Sequence, residues 1–587
     1  MSHSLTRSLA SFRHKWECRN FKTFSALPTE WRYIVGMGTM YSMDTATRRG
    51  GVFYTPLPFA EKACNYLDKT LGTNWLLSDN YRLWDMAAGT GHLELFLPKE
   101  SQKYCYLSTL EQEDVRHLEK EFPDAAVFQY DYLNDDVGLT DGRFGDAVTG
   151  SLLPSALQKD LANPQIKWVI LVNPPYATAQ EAGLKGRSKE GVSDTKIRKQ
   201  MHAEELGEVS RELYVQFLYR IMSEFKHRKT LLGLFAPLKY LVSTNYQKFR
   251  DHIFHAAFQS GFIFSSEHFG GTSKTRHFPV SFILWDIDRR DDAAEMEAKL
   301  NILDHTAQKI GIKTLKSANR NEFLNRWIRR PRGTKIFPPF SSALTVKSGN
   351  ADPRHRIAEG FLASLMCPGN ELQNQQQTAF LSGPQVSAGA LSVTPDNFEQ
   401  AVVVFAARRI PKDTWITHVD QLMRPNRELS PQFISACAVW SLFDGKNQTV
   451  SLRDVQYLDR VYQIENHFFP FPVEEVRRWF AETQSFDYAM HGANNSFVAD
   501  WLSRRTLSGE AQEVLESAKT IYRCFFANRN VLPMSEFGIA TYDAGWYQIQ
   551  KALHGAKLGI DLLADLKYRH NLLREKILPQ LYDYGIL

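Results

Sequence analysis

The chain has 587 residues, more than one hydrophobic core usually supports, so two or three domains are expected. Its 43% hydrophobic and 23% charged residues are ordinary for globular proteins and exclude a disordered or fibrous chain; a net charge of +5 leaves the class of partner open. Six scattered cysteines, none at CxxC spacing, argue against a structural zinc site or a disulfide framework, and no apolar run approaches the ~18 residues of a membrane helix.

In chain order, residues 1–44 read as an N-terminal arm, basic at first and without the apolar core of a signal peptide. From 45 to 295 strand-sized apolar runs alternate with stretches of helical period. The expected strands are Arg82–Met86, Tyr104–Leu110, Ala126–Gln129, Trp168–Val172, Thr230–Ala236 and Val280–Trp285. The expected helices are Pro58–Leu71, Asp114–Glu121, Arg211–Phe225 and Asn245–Ser260. That alternation predicts an α/β domain with a mainly parallel sheet covered on both faces. A polar, basic stretch over 177–208 interrupts it and reads as a functional or disordered loop carrying Lys185, Arg187 and Lys189. Residues 296–470 mix strand runs (Gln400–Ala407, Val450–Leu452) with connections rich in Pro, Asn and Gln, which predicts a mixed α+β domain. Residues 471–587 are helical in period. Between Asn301 and Asn350 ten Lys or Arg face two acids, densest around Arg326, Arg329, Arg330 and Arg332. Clustered cations suit a phosphate backbone, although an ordinary solvated surface has the same composition.

Five short motifs carry chemistry. Asn173-Pro174-Pro175-Tyr176 leaves the carboxyl end of the strand WVILV, where α/β sheets hold ligands. The prolines stiffen the turn, so the Asn173 side chain and the Pro174 carbonyl offer two oxygen acceptors to an amine. Tyr176 offers a face on which a base can stack. Upstream, the strand ending at Asp85 runs into the small-residue turn Met86-Ala87-Ala88-Gly89-Thr90-Gly91, which lets backbone approach a ligand closely. It is neither a dinucleotide fingerprint nor a phosphate loop. Glu111 ends the next strand, placed to bind ribose hydroxyls. Asp131-Tyr132 follows the strand AAVFQ. Gly51-Val52-Phe53-Tyr54-Thr55-Pro56 precedes a helix that Thr55 is suited to cap, or whose entry it lends to a bound carboxylate.

The order of these motifs resembles the N6-adenine DNA methyltransferases of the gamma arrangement. The resemblance spans roughly residues 45–290. It implies a Rossmann-like methyltransferase domain that binds S-adenosylmethionine through Phe53, Tyr54, Thr55, Pro56, Asp85, Ala87, Gly89, Gly91, Glu111, Asp131 and Tyr132. It implies methyl transfer at Asn173, Pro174, Pro175 and Tyr176, with Phe269 as a second aromatic against the base and Phe278 as its rival. The regions 296–470 and 471–587 would then serve target recognition. The resemblance further implies a cytoplasmic protein, bacterial or phage-encoded, that acts on double-stranded DNA, with a separate restriction endonuclease as a candidate partner, no membrane and no metal for methyl transfer. Methylation of RNA or of a protein glutamine, a combined restriction and modification polypeptide, and a non-catalytic DNA-binding subunit are the alternative readings. No nuclease pattern was found in the sequence to support the combined enzyme.

Overall fold

The computed structural model describes residues 54–78, 80–137, 150–176, 195–269, 277–289, 297–316, 320–340, 346, 355–385, 389–482, 490, 493–529, 532 and 541–587. The chain divides into two compact units, Met1–Ser317 and Ala318–Leu587.

The first unit is built on β1 (Tyr81–Asp85), β2 (Cys105–Thr109), β3 (Ala126–Gln129), β4 (Lys167–Val172), β5 (Thr230–Pro237), β6 (Ala257–Ser265), β7 (Pro279–Asp286), β8 (Glu297–Leu303) and β9 (Lys309–Lys316). They form one sheet in the order β3-β2-β1-β4-β5-β7-β6-β8-β9. The pairs from β3 to β5 are parallel; β7 runs antiparallel between β5 and β6. The run β3-β2-β1-β4-β5 is the doubly wound order, and it reverses between β1 and β4. The crevice beyond the carboxyl ends of these two strands is therefore where such a sheet holds ligands.

Strand alternation assigns the two faces. Leu83, Val169, Leu171, Phe235 and Phe282 pack on one side with Phe59 of α1 (Leu57–Leu71), whose ring stacks on Phe264 at 3.9 Å. Trp84 and Trp168 point the other way, edge-on to Phe225 of a long helix. The helices after β2, before β4 and after it are α2 (Gln112–Glu121), α3 (Ser155–Ala162), α4 (Lys196–Ala203) and α5 (Leu213–Phe225). Two short helices, α6 (Lys239–Val242) and α7 (Gln247–His252), follow β5.

The second unit holds a four-stranded sheet, β14 (Leu391–Val393), β12 (Ala363–Met366), β13 (Ala379–Leu381) and β15 (Asn447–Gln448), in that order. Two strand pairs accompany it: β10 (Lys335–Ile336) with β11 (Arg356–Ile357), and the ribbon β16 (Leu452–Tyr457) with β17 (Arg460–Ile464). Helices α8 (Phe398–Arg409), α9 (Pro431–Phe443), α10 (Val473–Glu482), α11 (Phe497–Ser503), α12 (Gly509–Asn528), α13 (Trp546–Ala556) and α14 (Ile560–Asp583) make up the rest. The expected fold class, α/β followed by mixed α+β and a helical carboxyl-terminal region, is the one observed.

The structure departs from expectation in several places. Residues 297–316 are β8 and β9 of the large sheet, so the first unit runs on past 295 to Ser317. Residues on both sides of 470 share one core, from Leu324 through Phe405 and Phe469 to Ile586, and lie in a single unit. Gln400–Ala407 is helical, within α8: its Val403-Val404-Phe405-Ala406 are buried on every side, and a run apolar all round shows neither period. Asn245–Ser260 is helical only over α7; from Ala257 it is β6, hydrogen-bonded between β7 and β8. In the expected loop 177–208, residues 177–194 lie outside the described ones, and Thr195 caps α4 by accepting the Arg198 N–H at 3.0 Å.

Gly91 shows how tightly β1's turn is packed. Its φ is +77, and a Cβ there would lie 2.4 Å from the Phe122 ring and 2.8 Å from Leu118. Gly91→Ala is expected to destabilise the protein by about 1–3 kcal/mol through strain and overpacking, read from urea unfolding.

Candidate active site at the carboxyl ends of β1 and β4

β1 ends at Asp85, and the chain must turn at once because Asp85 is buried. The Asp85 Oδ1 accepts the Ala87 N–H at 2.8 Å. The Ala88 N–H donates to the Ser108 carbonyl of β2 at 3.0 Å, and the Gly91 N–H to the Ala88 carbonyl at 2.8 Å. Gly89, at φ +53, faces Tyr54: a Cβ on it would stand 3.3 Å from the ring. The two glycines therefore differ. Gly91 lets a helix approach, whereas Gly89 leaves its backbone open beneath an aromatic ring.

A second acid joins Asp85. Glu94 is buried, and neither of its oxygens meets an N–H or hydroxyl donor. It interacts with the Asp85 carboxyl, and two buried acids so placed favour holding a proton between them over ionising together. Burial pushes Asp85 up to about 7; burial and then the Asp85 charge push Glu94 well above the usual carboxylate range. The stronger upward push falls on Glu94, which favours the proton there and leaves Asp85 as acceptor for the Ala87 N–H. Sequence reading missed Glu94. The available signal is an acid set in the apolar run Leu93-Glu94-Leu95-Phe96.

The segment before α1 bridges the two strand ends. Pro56, not Thr55, is the N-cap of α1. The buried Thr55 hydroxyl instead accepts the Asn173 side-chain N–H at 2.9 Å. The Thr55 carbonyl accepts from His92 Nδ1 at 3.0 Å, which places the imidazole proton on that nitrogen; burial holds the ring's pKa below its usual value. The His92 ring lies 5.6 Å from the Tyr54 ring. Tyr54 touches the glycine turn and Thr55 touches Asn173, so two consecutive residues join the motif after β1 to the motif after β4.

Asn173 follows β4 directly. Its Oδ1 accepts the Tyr176 hydroxyl at 2.7 Å. Pro174 is buried, and no described N–H or hydroxyl donates to its carbonyl. The Tyr176 ring meets Phe269 edge-on at 6.1 Å and Tyr214 at 6.4 Å. Phe269 is 2% exposed and supports Tyr176 from within the core, where Phe264 also packs on it; Phe278 is the more exposed ring.

Glu111, beyond β2, is exposed and does not cap α2. Its charge also reaches Tyr54, whose hydroxyl is pushed up to about 12 by burial and by Asp114, Glu113 and Glu111. Asp131 is half-buried; its oxygens accept the Leu133 N–H at 3.0 Å and the Asn134 amide at 2.8 Å, and each keeps a second lone pair. Tyr132 does not join the site. Its ring is buried under the Arg220 guanidinium, 4.4 Å away, and its hydroxyl donates to Glu224 at 3.0 Å. Both residues lie past the end of β3, in a turn whose Tyr132 carbonyl accepts from Arg220 at 2.5 Å, and that anchor draws the Tyr132 ring into the core.

Phe53, Lys185, Arg187 and Lys189 lie outside the described residues. In the second unit Arg326, Arg329, Arg330 and Arg332 are exposed. Arg329, Arg330 and Arg332 line a cavity of about 510 Å³; Arg330 is held by the carbonyls of Gly389 and Asn325, each at 3.3 Å. Among the described residues no His, Cys, Asp and Glu cluster is arranged to hold a metal ion, and no helix is long and apolar enough to cross a membrane.

The donor set fits S-adenosylmethionine. Gly89 under Tyr54 offers an open backbone, Glu111 a free carboxylate for a ribose, and Thr55 a hydroxyl that still has its own hydrogen to donate.

No family model matches the chain, and no curated protein matches it. Among solved structures it is similar to the DrdV chain of a DrdV–DNA complex (16% identity, TM-score 0.31, 46% of this chain and 30% of that one). It is also similar to the ATP-dependent Type ISP restriction-modification enzyme LlaBIII bound to DNA (12%, 0.33, 55% and 24%). A third is the Type IIL restriction-modification enzyme MmeI in complex with DNA (9%, 0.29, 91% and 80%). The matched part thus spans less than a third of the first two chains. Superpositions this loose carry neither activity nor substrate to this protein.

The Asp85–Glu94 pair sets a pH dependence. Both folded pKa values lie above their unfolded ones, so the folded state binds more protons and stability falls as pH rises from about 4 through 7. Glu94→Gln keeps a donor toward Asp85 without titrating. Its melting temperature is expected to exceed the unaltered protein's at pH 8, with the gain shrinking toward pH 5; a gain that does not change with pH would refute the shared proton.

Proposed function

We propose that this protein transfers a methyl group from S-adenosylmethionine to the N6 amino group of adenine in double-stranded DNA, as the modification component of a restriction-modification or related system. The observation that carries this reading is the Tyr54–Thr55 bridge, which brings the glycine turn and the Asn173 side chain to one crevice.

The chemistry supplied by the bound donor is an electrophilic methyl on a sulfonium. The chain's task is to present a nitrogen to it. An adenine amine is a weak nucleophile because its lone pair is conjugated with the ring. Asn173 Oδ1 and the Pro174 carbonyl accept its two N–H bonds, draw the nitrogen toward tetrahedral geometry and aim the lone pair. The amine loses its proton after attack, so no strong general base is needed. In the substrate-free state the Tyr176 hydroxyl occupies Asn173 Oδ1, and an incoming amine displaces it. The freed Tyr176 ring then stacks on the base, with Phe269 behind it. A target inside a duplex must be flipped out to reach this crevice. The exposed arginines 326, 329 and 332 serve the DNA backbone in this reading.

Thr55 is the positioning residue for this step. By accepting from the Asn173 amide it fixes which way Oδ1 points. Rates in such sites fall steeply with small misplacements.

Labelled methyl transfer to DNA, RNA and protein, with the modified base identified by mass spectrometry, tests the reading; transfer to RNA or to a glutamine alone would replace it. Asn173→Ala is expected to lose at least ~10²-fold in kcat with cofactor affinity unchanged. Loss of cofactor binding as well would mean that Asn173 serves the donor. Thr55→Val, nearly isosteric, is expected to lower kcat about 10–100-fold, with Thr55→Ser restoring it and the KM for DNA little moved. Full kcat in Thr55→Val would show that the Asn173 amide needs no anchor.

A further inference from the structure

The second unit carries a surface that the methyl-transfer site does not use. β16 and β17 form a two-stranded ribbon whose turn is Leu458-Asp459, with Tyr457 paired to Arg460. Both turn residues are left-handed, at φ +49 and +59. A two-residue hairpin of this kind demands that backbone, and Asn-Gly satisfies it with least strain. Leucine is a poor choice there. Leu458 is also 38% exposed, so burial does not offset the strain, and Val461 beside it is 54% exposed. Nearer the root, Asp454 at φ +55 sits in an irregularity between Leu452 and Val455. Such bulges re-aim side chains. An exposed, strained apolar tip that nothing in its own unit requires points to a contact with something else.

The ribbon is anchored on one face, just before its turn and in mid-strand. His355 Nδ1 and the Tyr457 hydroxyl lie 2.9 Å apart, and Tyr462 meets Phe337 edge-on at 5.5 Å. Gln463 and Ile464 of β17 line a cavity of about 310 Å³ together with Lys335, Phe337 and Phe361. That cavity shares Ala358, Glu359 and Gly360 with the 510 Å³ cavity of Arg329 and Arg332. The segment Ala358–Gly360 thus forms a wall of both cavities, the one at the arginines and the one at the ribbon. Arg329 and Arg332 are exposed and form no ion pair among the described residues. Glu359 and Asp396 in the same wall repel phosphate but suit a base amino group.

We infer that the β16–β17 ribbon enters the major groove of duplex DNA and reads bases there, while Arg329 and Arg332 hold the backbone. The inference rests on the DNA reading above and names where sequence is read. The major groove, about 12 Å wide, admits a two-stranded ribbon, which the minor groove at about 6 Å does not. Leu458 and Val461 supply apolar contacts of the kind a thymine methyl offers, and Gln456, exposed on β16, carries an amide suited to adenine. Arg460 at the tip adds a cation.

The test compares the full-length protein with Leu458→Asn/Asp459→Gly and with Arg329→Ala/Arg332→Ala, each used to select from a pool of randomised DNA duplexes. Asn-Gly relaxes the turn, so that variant is expected to melt higher, which separates function from folding. It is nevertheless expected to enrich a less defined sequence and to bind the unaltered protein's selected duplex at least ~10-fold more weakly. The arginine pair is expected to weaken binding to every duplex alike and to reduce the slope of log K against log salt by about 2. An unchanged selected sequence and affinity in the turn variant would overturn the ribbon's role while leaving the methyltransferase reading intact. A preference for duplex RNA, whose major groove is too narrow for a ribbon, would overturn it as well. If the unaltered protein binds no duplex, the DNA reading fails and this inference with it.

Discussion

A single hydrogen bond, from the Asn173 amide to the Thr55 hydroxyl, joins positions 118 residues apart. It gives the first unit a defined chemical centre. Without it the carboxamide would lose the anchor on its nitrogen and keep the Tyr176 hydroxyl on its oxygen, and the segment before α1 would be an ordinary helix entry. With it, Asn173 Oδ1 has one direction. The same segment, through Tyr54 and the Thr55 carbonyl, touches Gly89 and His92. The strand order makes this possible. β1 and β4 are neighbours, and the sheet reverses its winding between them, so their carboxyl ends open into one crevice.

Around that centre the polar groups are arranged with little spare capacity. Asp85 holds the turn through the Ala87 N–H, and Glu94 supplies the proton that keeps two buried carboxyls from repelling each other. A buried charge without such a partner would be strongly unfavourable. The aromatic support is layered in the same way, with Phe264 behind Phe269 and Phe269 behind Tyr176. On the opposite face of the sheet Arg220 is held by Glu224, by the Tyr132 carbonyl and by the Tyr130 hydroxyl. That network fixes the turn from which Asp131 projects, which is why Tyr132 belongs to the core and its neighbour does not.

The second unit distributes strain and charge differently. Its core is apolar and continuous, and its buried Arg408 donates to the carbonyls of Pro368 and Gly369 and to the Thr378 hydroxyl. Left-handed non-glycine residues cluster instead in an exposed ribbon, and Arg329 and Arg332, without an ion pair among the described residues, line a cavity of the same unit. A unit that leaves backbone strain at one surface tip concentrates its interaction potential there.

By itself, the sequence determined the elements whose physics is local. The apolar runs of β1 to β5, the glycine turn, and the Asn-Pro-Pro-Tyr step directly after β4 lie where residue order placed them, because period, turn chemistry and proline stiffness act over a few residues. Tertiary structure decided whatever depends on a distant partner. Ala257–Ser265 is a strand because β7 and β8 flank it, although its leading residues continue a helical pattern. The apolar run within α8 is a helix because core surrounds it on all sides. Glu94, an unremarkable acid in the sequence, became half of a carboxyl pair only when folding buried it against Asp85. Thr55, suited by sequence to cap a helix, gave its hydroxyl to Asn173, since the sheet order brings β4's end to it and the N-cap position of α1 falls one residue later, on Pro56.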